Sequence, residues 1–117
     1  MAANTKNEFE QARLKHLLFK SKLRAILLGA QLDEAPVLSE HDCPFGQWMQ
    51  TYLLKNCKNS AALKELETIH TDMHRLTRLV VKNYHAGVED ASALEMINIE
   101  KLGNRILELL NILEAEC

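Results

Sequence analysis

Aromatic residues are scarce in this chain: three Phe, two Tyr and one Trp, 5% of 117 residues. With 47% hydrophobic residues the core is therefore aliphatic, which suits packed helices better than sheets. Long apolar runs are also lacking. None approaches the roughly 18 to 20 residues needed to cross a bilayer, and Met1-Ala2-Ala3-Asn4-Thr5-Lys6 has no signal-peptide core. A cytoplasmic protein is expected, with no membrane partner. Charge of one sign is missing as well: 14 basic and 16 acidic residues give a net charge of −2, which leaves no footprint for nucleic acid or an anionic membrane surface. Cysteines number three, Cys43, Cys57 and Cys117, an odd count at unrelated spacings. That argues against a disulfide framework and fits a reducing compartment, with Cys57 and Cys117 read as incidental thiols.

A chain of 117 residues is long enough for one sizeable core and too short for two ordinary domains, so residues 1–117 are read as one domain. Thr5-Lys6-Asn7-Glu8 matches a capping box, which places the start of the first helix there. Phe9, Ala12, His16, Phe19, Leu23, Ile26 and Ala30 then follow at spacings of three and four, the seam of a bundled helix. Pro36 forbids helical continuation, so the stretch after Gly29 to about Asp42 is expected to be a crossover loop. A short helix follows from Pro44 to about Leu54, with Phe45, Trp48, Met49 and Tyr52 on its apolar face.

Ser60 or Asn59 is placed to cap a third helix that runs to about His85 and carries Leu66, Ile69, Met73, Leu76 and Val80 on one stripe. Gly87 suits its C-terminal end, and His85 suits the negative end of the helix dipole. Ser92-Ala93-Leu94-Glu95 is a second capping box, opening a last helix whose seam is Ile99, Leu102, Ile106, Leu109 and Leu113. Leu110 and Ile112 widen its apolar face, for packing in the bundle or for a second subunit. The expected fold is all-α, an antiparallel arrangement like a four-helix bundle, with three long helices and one short helix after the Cys43 cap.

Chemistry concentrates in His41-Asp42-Cys43-Pro44-Phe45-Gly46-Gln47-Trp48, where the only Trp, a Cys, a Pro and a Gly fall within six positions. Proline favours the first helical position, which makes Cys43 the N-cap, where free N–H groups and the helix dipole favour thiolate. Downstream, His70 and His74 lie four residues apart on one helical face, and one metal ion can bridge such a pair. His16 sits on the seam of the first helix. Long antiparallel helices can bring His16, Cys43, His70 and His74 to one level, and a thiolate with three imidazoles is a donor set that favours tetrahedral zinc. Glu67 or Asp42 is expected to orient the imidazoles, while His41 reads as a loop residue.

This combination resembles the chemoreceptor zinc-binding (CZB) domain family, whose signature places a Cys-x-Phe/Leu-Gly-x-Trp motif between an upstream His and a downstream HxxxH. Here those are Cys43-Pro44-Phe45-Gly46-Gln47-Trp48, His16 and His70 to His74, over roughly residues 10 to 113, with Phe19 where a Trp is common in the family. The resemblance implies a bacterial cytoplasmic sensor module with a three-His, one-Cys zinc site. It also implies dimers, chemoreceptors or diguanylate cyclases as output partners, and a response to zinc or to oxidants such as hypochlorous acid at the cysteine. Family members are usually fused to an output domain, which this sequence lacks, so it acts through a partner, acts alone, or is an excised fragment. Its Met1-Ala2-Ala3 start favours a complete protein.

Two other function classes compete. Glu67-Thr68-Ile69-His70 supplies one half of a hemerythrin-like di-iron pattern but finds no matching second half. A structural helical module with incidental histidines fits the apolar seams equally well. Catalysis is not expected, because four protein ligands leave zinc no open position for water.

Overall fold

The computed structural model describes residues 2–88 and 92–117. Among these residues it is all helix and turn, with α1 over Ala2–Leu27, α2 over Ala35–Leu38, α3 over Pro44–Trp48, α4 over Leu54–Asn56, α5 over Ala61–His85 and α6 over Ala93–Glu116. A π-helical turn, Met49–Leu53, joins α3 to α4, so the expected short helix is one continuous helical segment with a wider turn in its middle. The all-α expectation of three long helices and a short one after Cys43 is met.

The apolar seams do what their spacing dictates. Phe9, Ala12, Phe19, Leu23 and Ile26 of α1 are buried against Leu66, Met73 and Val80 of α5 and Ile106, Leu109 and Leu113 of α6. Ala30 is exposed, because α1 ends at Leu27 and Gly29 turns the chain at φ +97°. Helix α6 runs antiparallel to both long partners: Arg13 pairs with Glu114 at 2.6 Å and Lys20 with Glu100 at 3.1 Å across α1, and Arg105 pairs with Glu65 at 2.6 Å across α5. These partly exposed pairs set alignment more than stability. The molecule is elongated, 49 × 25 × 18 Å.

Helix ends hold both agreements and corrections. Ser60 caps α5 by accepting a hydrogen bond from the Leu63 N–H, so Ser60→Ala is expected to cost about 1 kcal/mol in urea denaturation. The turn after α5 uses Gly87 at φ +75°, one residue past the cap Ala86. Neither capping box forms as read. Helix α1 extends back to Ala2, and Glu8 instead accepts a hydrogen bond from the Trp48 indole N–H at 3.0 Å. Ser92 does precede α6, yet its hydroxyl accepts from Asn83 rather than capping the helix.

The crossover also differs from expectation. Pro36 does not exclude helix; it occupies the first turn of the four-residue α2, where its missing N–H has no partner to lose. Helix α2 packs against α5 and α1 and buries Val37. The cysteines supply the largest correction. Cys57 and Cys117 are not incidental thiols but a disulfide with Cα atoms 5.0 Å apart, leaving Cys43 as the free, buried cysteine.

Candidate metal centre

Cys43 is the N-cap of α3, as its neighbour Pro44 dictates, with extended backbone geometry at φ −80° and ψ 123°. Its side chain is buried. Burial pushes the thiol pKa up, and the N–H groups of Gly46 and Phe45 at the helix start pull it the other way. The cap alone therefore does not make a thiolate here, because loss of water outweighs the helix end. A cation beside the sulfur would reverse that balance.

His70 and His74, one turn apart on α5, are both buried, and their Nε2 atoms face each other at 3.1 Å. The His74 Nδ1–H donates to the Val37 carbonyl at 2.8 Å. A carbonyl only accepts, so His74 carries its proton on Nδ1 and turns the lone pair of Nε2 toward His70. Phe19 packs edge-on against the His74 ring at 5.3 Å, and Phe45 lies 5.6 Å from the His70 ring. Cys43, His70 and His74 thus offer one sulfur and two nitrogens, all within 4.8 Å of one another. The 3.1 Å between the imidazole nitrogens is close to the roughly 3.3 Å edge of a tetrahedron with metal–nitrogen bonds of about 2.0–2.1 Å.

His16 stands outside that 4.8 Å group, with its ring centroid 6.2 Å from that of Phe45. It is nonetheless close enough for its charge to depress His70. Both of its ring nitrogens are buried without a hydrogen-bond partner. An imidazole with neither nitrogen satisfied is expensive to bury, so the pocket is arranged for a partner that accepts a nitrogen lone pair.

Two glycines make room for these rings. A Cβ at Gly46 would lie 2.5 Å from the Glu40 carbonyl oxygen and 2.8 Å from Cε1 of His70. One at Gly103 of α6 would lie 3.3 Å from Nε2 of His16. Gly103 was missed in the sequence; a glycine inside a helical pattern is the signal that points to such close packing.

The surroundings favour neutral imidazoles. Burial pushes the His16 pKa down to about 4, with Lys20 adding to the effect and Glu100 opposing it. Burial first, then the neighbouring His74 and His16, pushes His70 to about 3. Burial also lowers His74, against the Val37 carbonyl. A histidine whose folded pKa lies below its unfolded value of about 6.5 binds fewer protons when folded, so stability rises with pH across that interval. Stability of the chelator-treated chain is therefore fully present above pH 6.5 and lost as pH falls toward 4. We expect a loss of a few kcal/mol over that range, read by denaturant titration at a series of pH values.

Neither residue expected to orient the imidazoles does so among the described contacts. Val37 takes that role through its backbone, which side-chain chemistry in the sequence does not reveal. Glu67 instead lines a cleft of about 230 Å³ that reaches His70, together with Glu40, His41, Gly46 and Thr71. Glu40 accepts a hydrogen bond from the Thr71 hydroxyl at 2.9 Å across its rim. His85 pairs with Glu34 at 2.8 Å, away from the histidine cluster.

A family model described as the chemoreceptor zinc-binding domain matches residues 16–81, more than half of the chain. The chain belongs to the chemoreceptor zinc-binding domain family. The matched segment begins at His16 and includes Cys43, His70 and His74, and it ends before α6, short of the residue 113 reached by the resemblance. No match was found among curated proteins or among solved structures. Phe19 packs on the candidate ligand His74, whose ring it meets edge-on. No described helix is long and apolar enough to cross a membrane.

Proposed function

We propose that this chain is a regulatory zinc-binding domain in which His16, Cys43, His70 and His74 hold one zinc ion. The observation that carries this reading is the doubly unpartnered, buried His16 beside a Cys-His-His cluster whose nitrogens already face inward. A structural module has no use for an imidazole buried at such cost. The close cluster contains no carboxylate, and a di-iron centre depends on bridging carboxylates. When bound, zinc supplies a positive charge that stabilises the Cys43 thiolate and joins segments far apart in the chain.

The protein's part is to hold these donors. Val37 fixes the tautomer of His74, Gly46 seats α3 against His70, and Trp48, stacked on Tyr52 of its own segment, anchors that segment to α1 through Glu8 and through Phe9 at 5.2 Å. Oxidation of Cys43 would remove the one anionic donor and loosen this segment. The domain therefore senses zinc or an oxidant such as hypochlorous acid in the cytoplasm, and passes a change in helix packing to a chemoreceptor or diguanylate cyclase partner. It is a sensor and not an enzyme, since four protein ligands close the metal to water.

A homodimer fits the outer face of α1 and the turn after it, where Leu14, Leu17 and Leu18 and then Leu28, at 81%, are exposed. Sedimentation at micromolar concentration is expected to give twice the chain mass, and Leu17→Glu the chain mass.

The test of the ligand set is zinc titration against a competing chelator. His16→Ala is expected to weaken zinc at least about 10-fold while His41→Ala leaves it unchanged. Equal affinity in His16→Ala and wild type would remove His16 from the site.

A further inference from the structure

The segment that begins at Cys43 is held to the bundle unevenly. Its first half is anchored by buried Phe45 and Trp48 and by the indole hydrogen bond to Glu8 of α1. Its second half passes through the π-helical turn, where Met49 and Leu53 are still buried, into α4, which buries no side chain and ends at its C-cap Cys57. Among the described residues, no side-chain hydrogen bond or ion pair joins this segment to α6. The Cys57–Cys117 bond does so instead, and ties the end of the segment to the C-cap of α6 across 60 residues of sequence.

The location of the bond governs its chemistry. Cys57 is partly buried and Cys117 exposed, whereas Cys43 is 1% exposed. Exposed disulfides exchange with thiols readily, while a buried thiol is shielded from a reagent as bulky as a tripeptide thiol. In the cytoplasm, where the proposed function puts this chain, lasting disulfides are rare and those that form are mostly transient and redox-responsive.

We propose that Cys57 and Cys117 are a reversible dithiol–disulfide site, separate from Cys43, whose oxidation locks the end of the Cys43-bearing segment onto α6. The co-reactants are a low-molecular-weight thiol and its disulfide. A thiolate attacks Sγ of the exposed residue Cys117, the protein S–S bond breaks, and Cys57 leaves as a thiolate that takes up a proton. A second thiolate then attacks the mixed disulfide on Cys117, which releases the small disulfide and leaves the second protein thiol. Two small thiols are oxidised and one protein disulfide is reduced; the reverse sequence closes the bond. The redox state of this pair therefore sets how firmly α4 is held, independently of any reaction at Cys43.

The test equilibrates the intact, as-purified chain with glutathione and glutathione disulfide over a range of ratios. Free thiols are then trapped with iodoacetamide and located by mass spectrometry. The expected result is one transition in which Cys57 and Cys117 become labelled together, with Cys43 unlabelled until the chain is denatured. Reduction is expected to lower the melting temperature on the order of 10 °C in wild type and to leave a Cys57→Ser/Cys117→Ser double variant unmoved.

A pair that stays oxidised at every ratio would be a permanent cross-link, and a pair that stays reduced at every ratio would be two incidental thiols. Either result, or an equal thermal shift in the double variant, overturns the proposal. The transition is read from Cys57 and Cys117, neither of which is a proposed zinc ligand, so its failure leaves the zinc reading standing. A chain that binds no zinc would still give the labelling result.

Discussion

Gly46→Ala is expected to destabilise the protein by about 1–3 kcal/mol and to weaken zinc binding by about 10- to 100-fold. In an open helix, replacing glycine with alanine normally stabilises, because alanine loses less backbone freedom on folding. Here the sign reverses. The added methyl group would meet the Glu40 backbone oxygen and the His70 ring at distances that real side chains do not tolerate. Glu40 lies three residues before Cys43, so relief comes either by moving the loop that carries the sulfur or by turning the His70 ring, and each spoils the donor set. Gly103→Ala supplies the graded comparison: its methyl group meets His16 at 3.3 Å, and a shift of a few tenths of an ångström relieves it. Denaturant titrations with and without zinc, on both variants, measure the two effects together. A stabilised Gly46→Ala chain would show that α3 does not pack against His70 as described.

Cys43→Ala is expected to leave the chelator-treated chain within about 1.5 kcal/mol of wild type while lowering zinc affinity at least about 100-fold. The first half of this expectation follows from burial. Without metal, Cys43 is a small buried thiol, and alanine removes a single sulfur from its packing. The second half follows from how metal binding and folding share free energy. Structural zinc sites bind with roughly 10–16 kcal/mol shared over four ligands, so one ligand accounts for about 2.5–4 kcal/mol, or about 70- to 850-fold, and the anionic one falls toward the upper end. Cys43 is also the only anionic donor of the set. The readout is thus a difference: variant and wild type unfold together in EDTA and separate widely in zinc. Equal stabilisation of both by zinc would place the metal elsewhere.

The long helices were legible because their apolar residues repeat at three and four, and a packed bundle has few other ways to bury such stripes. Cys43 as a cap was legible from Pro44 alone, and Ser60 from its place before a helical run. Other features depend on partners far away in sequence. The Glu8 carboxylate has two uses open to it, a local cap and the Trp48 indole, and only the fold brings the indole within 3.0 Å. Val37 holds His74 through a backbone carbonyl, which any residue type would supply, so its identity carries no signal. Helix α2 is four residues long, too short for a period to show. The Cys57–Cys117 pair was missed because an odd cysteine count argues only about frameworks. It says nothing about two ends of separate helices that arrive 5.0 Å apart. His16 was legible as a seam residue, yet its lack of any hydrogen-bond partner, the feature that makes it chemically telling, exists only in the packed structure.

The central claim is that this chain holds one zinc ion, and metal content tests it most directly. Elemental mass spectrometry on tagless protein purified without chelator, beside Cys43→Ala and His70→Ala, is expected to find about one zinc per wild-type chain and almost none in either variant. Wild-type protein with no zinc, or with two irons per chain, would contradict it.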